Sequence, residues 1–312
     1  MRFLIVLFTC SFLFTNAQEQ NTKVADYYQI DEELNDQLQT IVSDLGIDGE
    51  YYCGEEDGWE RISFAVIYEK DDQAYLSGVN YDNFIYPASM YKMYVAAEVL
   101  SQISDGDYDL NTTQIVRSPN DVDTKKEIPS DPRPLLRDKD TVTTQYLLDL
   151  MITRSDNSAA NCLIDLADRK QINEMMHQHN WQGSEVTRKF LSQKLEDKDY
   201  LSVRGTETSA LHAADFLYLI NKDKLINPWV SRQMKTFLGR QLDDSKLVQG
   251  LPDSAMFYHK TGWWSHWTID VGIVTDGKQE YIIALLMPIE EEKALPIFKE
   301  IGQRVHQLMV DY

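Results

Sequence analysis

Apolar residues along this chain change their spacing several times, and each change marks an element. Near the start Phe3 to Phe14 is an almost unbroken apolar run, too short to cross a bilayer, behind the positive start Met1-Arg2 and ahead of Thr15-Asn16-Ala17. This is the layout of a processing signal cleaved near Ala17, and it predicts a mature chain over 18–312 that is exported, periplasmic or secreted. From Asp31 to Leu45 apolar positions recur at helical spacing behind acidic residues and stop at Gly46. Ile62 to Tyr68 and Ala74 to Val79 are β-branched and aromatic runs joined by Asp71-Asp72, an antiparallel hairpin.

Helical spacing returns after Pro87, from Ser89 to Ile103, with Met90, Met93, Ala97, Leu100 and Ile103 on the buried side. From Asp105 to Asp140 the composition turns to Asp, Pro, Lys and Thr, an irregular surface segment. A helix pair follows, from Thr143 through Leu150 and on to Ala167, interrupted at Thr153 to Asn157. Further helices are predicted over Gln171–His179, Ala210–Ile220 and Pro228–Leu238, with a long polar loop between Gly183 and Ser209. Strands close the chain, over Ala255–Lys260, Ile269–Thr275 and Tyr281–Met287, the last two around the hairpin signal Asp276-Gly277, before a helix over Glu291–Met309. Strands at both ends with helices between predict one discontinuous α/β (α+β) domain with a helical insertion, roughly 105–240.

Charge removes one class of function. With 50 acidic against 30 basic residues the formal charge is −20, which repels nucleic acid and anionic lipid. No His/Cys cluster has metal-ligand spacing, and His177 and His179 project to opposite sides of a helix, so neither metal nor cofactor is expected. Cys10 lies inside the apolar run and leaves with the signal. Cys53 and Cys162 remain, and sequence leaves open whether they form a bridge.

Three short strings carry the chemistry. Ser89 and Lys92 are one helical turn apart, so the amine reaches the hydroxyl. Outward backbone N–H groups at a helix start favour the oxyanion that develops in acyl transfer. A lysine in an apolar helix is costly unless paired or functional, and it serves as a base only where burial and a neighbouring cation, here Lys260, favour loss of its proton. Ser155-Asp156-Asn157 breaks the helix pair with three residues that a cap and turn alone would explain; the functional alternative makes Ser155 a proton shuttle toward a leaving group, Asn157 a donor to a substrate amide and Asp156 a turn former. Lys260-Thr261-Gly262 ends an apolar strand, where Lys and Thr project toward a carboxylate and Gly permits close backbone approach.

The ordered set is the one found in class A β-lactamases and penicillin-binding proteins. The stretch from Thr141 to Leu166 resembles the helix pair that carries the middle string in class A β-lactamase-related serine hydrolases, and the resemblance extends roughly from Asp31 to Met309. It implies a β-lactamase/transpeptidase-like three-layer fold with an antiparallel sheet and Ser89 as acylated nucleophile. It further implies Lys92 as base, Ser155 and Lys260 in proton transfer, Asn157, Thr261 and Gly262 at the substrate, and an oxyanion hole from the N–H groups of Ser89 and Trp263. The expected activity is opening of β-lactam rings, hence β-lactam catabolism, by a monomer acting on small β-lactam or peptidoglycan-like substrates without stable membrane insertion. A D-alanyl-D-alanine carboxypeptidase or esterase, and a non-hydrolysing envelope binding protein, are the alternatives.

The departures are specific. Class A enzymes release the acyl group with a loop glutamate acting through a water. Glu196 and Glu207 are the nearby candidates, and neither sits in a recognisable version of that loop. Trp263 and Trp264 stand where the family usually has small residues, and no arginine lies between Gly262 and Val274.

Overall fold

The computed structural model describes residues 23–55, 57–123, 131–200 and 203–312. The expected signal over 1–17, with Cys10, lies outside them. In chain order the elements are β1 (Tyr28–Ile30), α1 (Glu32–Asp44), β2 (Tyr51–Tyr52), β3 (Trp59–Glu60), β4 (Ser63–Lys70) and β5 (Gln73–Val79). There follow α2 (Lys92–Asp105), β6 (Thr113–Ile115), β7 (Thr141–Thr143), α3 (Thr144–Thr153), α4 (Asn157–Ala167) and α5 (Arg169–Gln178). The chain closes with α6 (Ala210–Asn221), α7 (Pro228–Leu238), β8 (Met256–Trp264), β9 (Trp267–Thr275), β10 (Glu280–Met287) and α8 (Glu291–Asp311).

Six strands form the main sheet in the order β1-β5-β4-β10-β9-β8. All neighbours are antiparallel except β1 on β5, a short parallel edge too small for sequence periodicity to reveal. The β4–β5 turn uses Asp71 and Asp72 at φ 52° and 61°, the left-handed pair a tight hairpin needs. Strand alternation then sorts the core into two. Ile282, Ala284 and Leu286 of β10 join Ala65, Ile67, Ile269 and Val271 in the cluster that holds α2, α3, α4, α6 and α7. Tyr281, Ile283, Leu285 and Met287 join Phe64 and Val66 in the cluster with α1 and α8. The result is three layers: two terminal helices, the sheet, and the inserted helices.

Local chemistry sets the element ends that matter for the site. Thr143 Oγ1 accepts from Tyr146 N at 3.2 Å to start α3, and Asp156 Oδ1 accepts from Ala159 N at 2.8 Å to start α4. Asn227 caps α7 ahead of Pro228. The expected α-helix from Ser89 is corrected. Ala88–Tyr91 is a 3₁₀ turn and the α-helix begins at Lys92, because Ala88 at φ 47° enters the turn from the left-handed region. Among its described residues the irregular 105–140 segment also carries the strand β6, paired with β7, and the strand expected to end at Lys260 continues to Trp264. Cys53 and Cys162 are both free thiols.

Candidate active site

Three elements from distant parts of the chain converge on one cleft of about 620 Å³, whose lining includes Ser89, Ser155, Asn157, Thr261, Gly262 and Trp263. Ser89 sits on the 3₁₀ turn and Lys92 one turn further on, with no exposure. Ser155 forms the break between α3 and α4, at φ 56°. Its left-handed backbone ends α3 and allows Asp156 to start α4 at once, so the bend is as tight as three residues permit.

Lys92 Nζ is the hub. It lies 3.2 Å from Ser89 Oγ, 3.1 Å from Ser155 Oγ, 2.8 Å from Ser155 O and 2.7 Å from Asn157 Oδ1. An ammonium carries three donors, and a free amine two with one lone pair. Four oxygens exceed either count, and only the two hydroxyls can donate back. Either serine is therefore placed to hand Lys92 a proton, and the carbonyl and amide oxygens hold the nitrogen where both can do so. Asn157 is itself fixed by Asp123, whose carboxylate accepts from Asn157 N at 2.6 Å and Nδ2 at 3.1 Å. Asn157 therefore orients Lys92 as well as lining the cleft.

Lys260 is fully buried and its Nζ donates to Thr261 O at 2.8 Å. Gly262 is where the strand meets the nucleophile's turn: a Cβ there would stand 2.9 Å from Ser89 N, 3.1 Å from Met90 N and 3.1 Å from Pro87 O. Only glycine lets β8 lie this close, and the contact places the backbone of Gly262 and Trp263 beside that of Ser89. Burial pushes the Tyr86 phenol, also on the lining, up to about 12, so it stays protonated.

The middle string is held from behind by ion pairs. Arg154 Nη2 donates to Asp156 Oδ2 at 2.8 Å, and Arg154 Nη1 contacts Asp131 Oδ2 at 3.4 Å. Arg133 binds Asp131 at 2.8 Å and also pairs with Asp149, which in turn meets Arg240. The chain of alternating charge thus runs from a surface arginine to the Ser155 turn. With Arg154 and Asp131 almost fully buried, breaking one pair would leave an uncompensated charge, a cost of about 3–5 kcal/mol.

Neither candidate glutamate reaches the cleft lining. Glu196 is buried against Arg169 at 3.0 Å and accepts from Lys189 N and Asp197 N, so it organises its own loop. Glu207 pairs with Arg204, and Glu207 and Glu185 form an isolated bridge. The side chain that the same loop presents to Lys92 is Phe190, whose ring centroid is 4.1 Å from Nζ and which stacks on Tyr91 at 4.5 Å. Asn161 fixes it there, accepting from Phe190 N at 2.7 Å and donating to Phe190 O at 3.3 Å. Nothing in the polar, aperiodic 183–209 segment marked Phe190. Asp123 was equally silent, since it meets Asn157 only through the fold.

The family model described as "Beta-lactamase enzyme family" matches residues 55–309, and the chain belongs to that family. Fold, membership and site together make it a β-lactamase-like serine hydrolase. Among solved structures it is similar to PBP-A, at TM-score 0.72 and 18% identity over 91% of this chain and 98% of that one. A mutant of PBP-A has been solved as an acyl-enzyme complex with penicillin G, and is similar at TM-score 0.72 and 17% identity, covering 92% of this chain and 100% of that one. A β-lactamase from Sphaerobacter thermophilus DSM 20745 follows at TM-score 0.71 and 16% identity, covering 88% of this chain and 97% of that one. At these identities the likeness establishes the fold. No curated protein matches the sequence.

Proposed function

We propose that this protein is an exported, monomeric serine hydrolase that forms an acyl-enzyme on Ser89 with β-lactams and with peptide amides of similar shape. The observation that carries this reading is the position of Lys92 Nζ, within 3.2 Å of the hydroxyls of both Ser89 and Ser155. Ser89 Oγ attacks the carbonyl carbon as its proton passes to Lys92. The N–H groups of Ser89 and Trp263 receive the oxyanion, and Ser155 relays the proton to the leaving nitrogen as the C–N bond breaks. Buried Lys260 supplies positive potential for a substrate carboxylate, with Thr261 beside it.

A specific observation favours the peptidase form of this reading over rapid β-lactam turnover. Phe190 occupies the face of Lys92 turned to the loop, and neither Glu196 nor Glu207 lines the cleft. Among the described residues, hydrolysis of the ester then lacks a loop carboxylate to activate water from that side, so a β-lactam adduct should persist. The likeness to PBP-A, one mutant of which was captured with penicillin G attached, is in keeping with that reading.

Time-resolved intact-mass measurement after addition of penicillin G tests both parts. The expected result is stoichiometric gain of one penicillin mass, lasting minutes or longer, and no gain in Ser89→Ala. A wild-type protein that never gains the mass would sink acylation. Gain followed by loss within seconds would restore rapid β-lactam turnover as the better reading.

A further inference from the structure

The cleft lining beyond Thr261 and Gly262 carries side chains that acylation of Ser89 does not use. Trp263 and Trp264 lie along it, 54% and 63% exposed. Asp243 and Glu291 line the same cleft. Both accept from Lys246 Nζ, at 2.8 and 3.0 Å, and Lys246 has no exposure, so it reaches them from inside the protein. One ammonium against two carboxylates leaves a negative charge uncompensated on the cleft side. Burial alone would raise the Asp243 carboxyl, but Lys246 and the donors of Ser245 outweigh it and hold Asp243 well below the usual carboxylate range.

Apart from Lys260, buried behind Thr261, the opposite sign is scarce here. Among the described residues lining the cleft the one Lys or Arg is Arg154, and its guanidinium is buried in pairs with Asp131 and Asp156. Indole faces and an unbalanced carboxylate pair are the two surfaces that attract a nitrogen cation, by ring quadrupole and by charge.

We propose that this end of the cleft is a subsite for a cationic group, a protonated amine or a quaternised nitrogen. The substrate carries it on the leaving-group side, where Lys260 and Thr261 would take a carboxylate. The proposal rests on the reading of Ser89 given above and adds a substrate class to it: zwitterionic β-lactams, and peptides with a free amine near the cleaved bond. Trp263, Asp243 and Glu291 are then specificity-determining residues.

Cephaloridine and cephalothin share one acyl side chain and differ at C3, where the first bears a pyridinium and the second an uncharged acetate ester. Calorimetric affinities for the Ser89→Ala protein read the subsite without any covalent step. Cephaloridine is expected to bind at least about 5-fold more tightly, a difference of about 1 kcal/mol, in line with a cation–π or exposed charge contact. The ratio should fall toward one in Asp243→Asn and Glu291→Gln, and hold in Glu33→Gln, which removes the same charge from α1 in the far layer. Trp263→Ala leaves the partners of Lys246 in place and should at least halve the ratio, which covers loss of fold in the carboxylate variants. Equal affinities, or a ratio indifferent to all three cleft substitutions, overturn the subsite. Acylation of the wild-type protein is judged separately by mass, so either reading can fail alone.

Discussion

Phe190 is the residue on which the chemistry of release turns. Its ring covers the Lys92 amine at 4.1 Å and is stapled there by Asn161, so among the described residues water meets no loop carboxylate on that face. Phe190→Glu is expected to shorten the lifetime of a penicillin adduct by about 100-fold, the scale of an added general base. It should also cost about 1 kcal/mol of stability as the stack on Tyr91 is lost. Decay of the adduct mass in both proteins checks this, and equal lifetimes would show that the aromatic face is not what limits release. His212 makes a second prediction at this scale. It is buried, its Nδ1 lies 2.7 Å from Ser184 Oγ, and burial pushes its pKa down to about 3. The unfolded imidazole takes a proton near pH 6.5 while the folded one stays neutral, so stability is lost as pH falls from about 6.5 toward 3. The total loss should approach about 5 kcal/mol. Melting temperature against pH should show this slope in the wild type and a shallower one in His212→Gln.

At the scale of elements, the decisive contact is β8 against the 3₁₀ turn. A Cβ at Gly262 has backbone on three sides, at 2.9, 3.1 and 3.1 Å, and backbone cannot rotate away. Gly262→Ala should therefore lower the penicillin acylation rate by about 100-fold, since a displacement near 1 Å is enough for that. The melting temperature should change far less, and an unchanged acylation rate would mean that the turn yields freely. This contact also explains what sequence could disclose. Gly262, Ser89 and Ser155 were legible because strand ends, turn starts and helix breaks demand particular residue types at fixed local spacing. Phe190, Asp123, Asp243 and Glu291 were not, since each earns its place through a neighbour far away in sequence, and a Phe or Asp in a polar segment has many other uses. For the same reason the hairpins and long helices were readable, whereas β1, β2 and β3 span two or three residues and carry no period.

On the scale of the whole molecule, the sheet parts two apolar clusters, one with the inserted helices and one with α1 and α8, and β4, β5, β9 and β10 contribute to both. The site lies where the inserted helices meet β8, so it draws on the far end of the sheet and on the turn ahead of α2 at once. Ala88 and Ser155 both hold left-handed backbone at φ 47° and 56°, a conformation that costs a non-glycine residue roughly 1–2 kcal/mol and that an unfolded chain seldom visits. Neither is held by local preference. Only the completed neighbourhood, β8 behind Gly262 and the charged chain behind Arg154, keeps them there. The consequence is an order of assembly. Helices and hairpins can form from nearby residues, but the constellation around Lys92 must wait for contacts between distant segments. After dilution from denaturant, far-ultraviolet dichroism should therefore recover before the ability to trap penicillin does. Each newly made molecule would then pass through an interval in which it is folded to the eye of a spectrometer and still chemically mute.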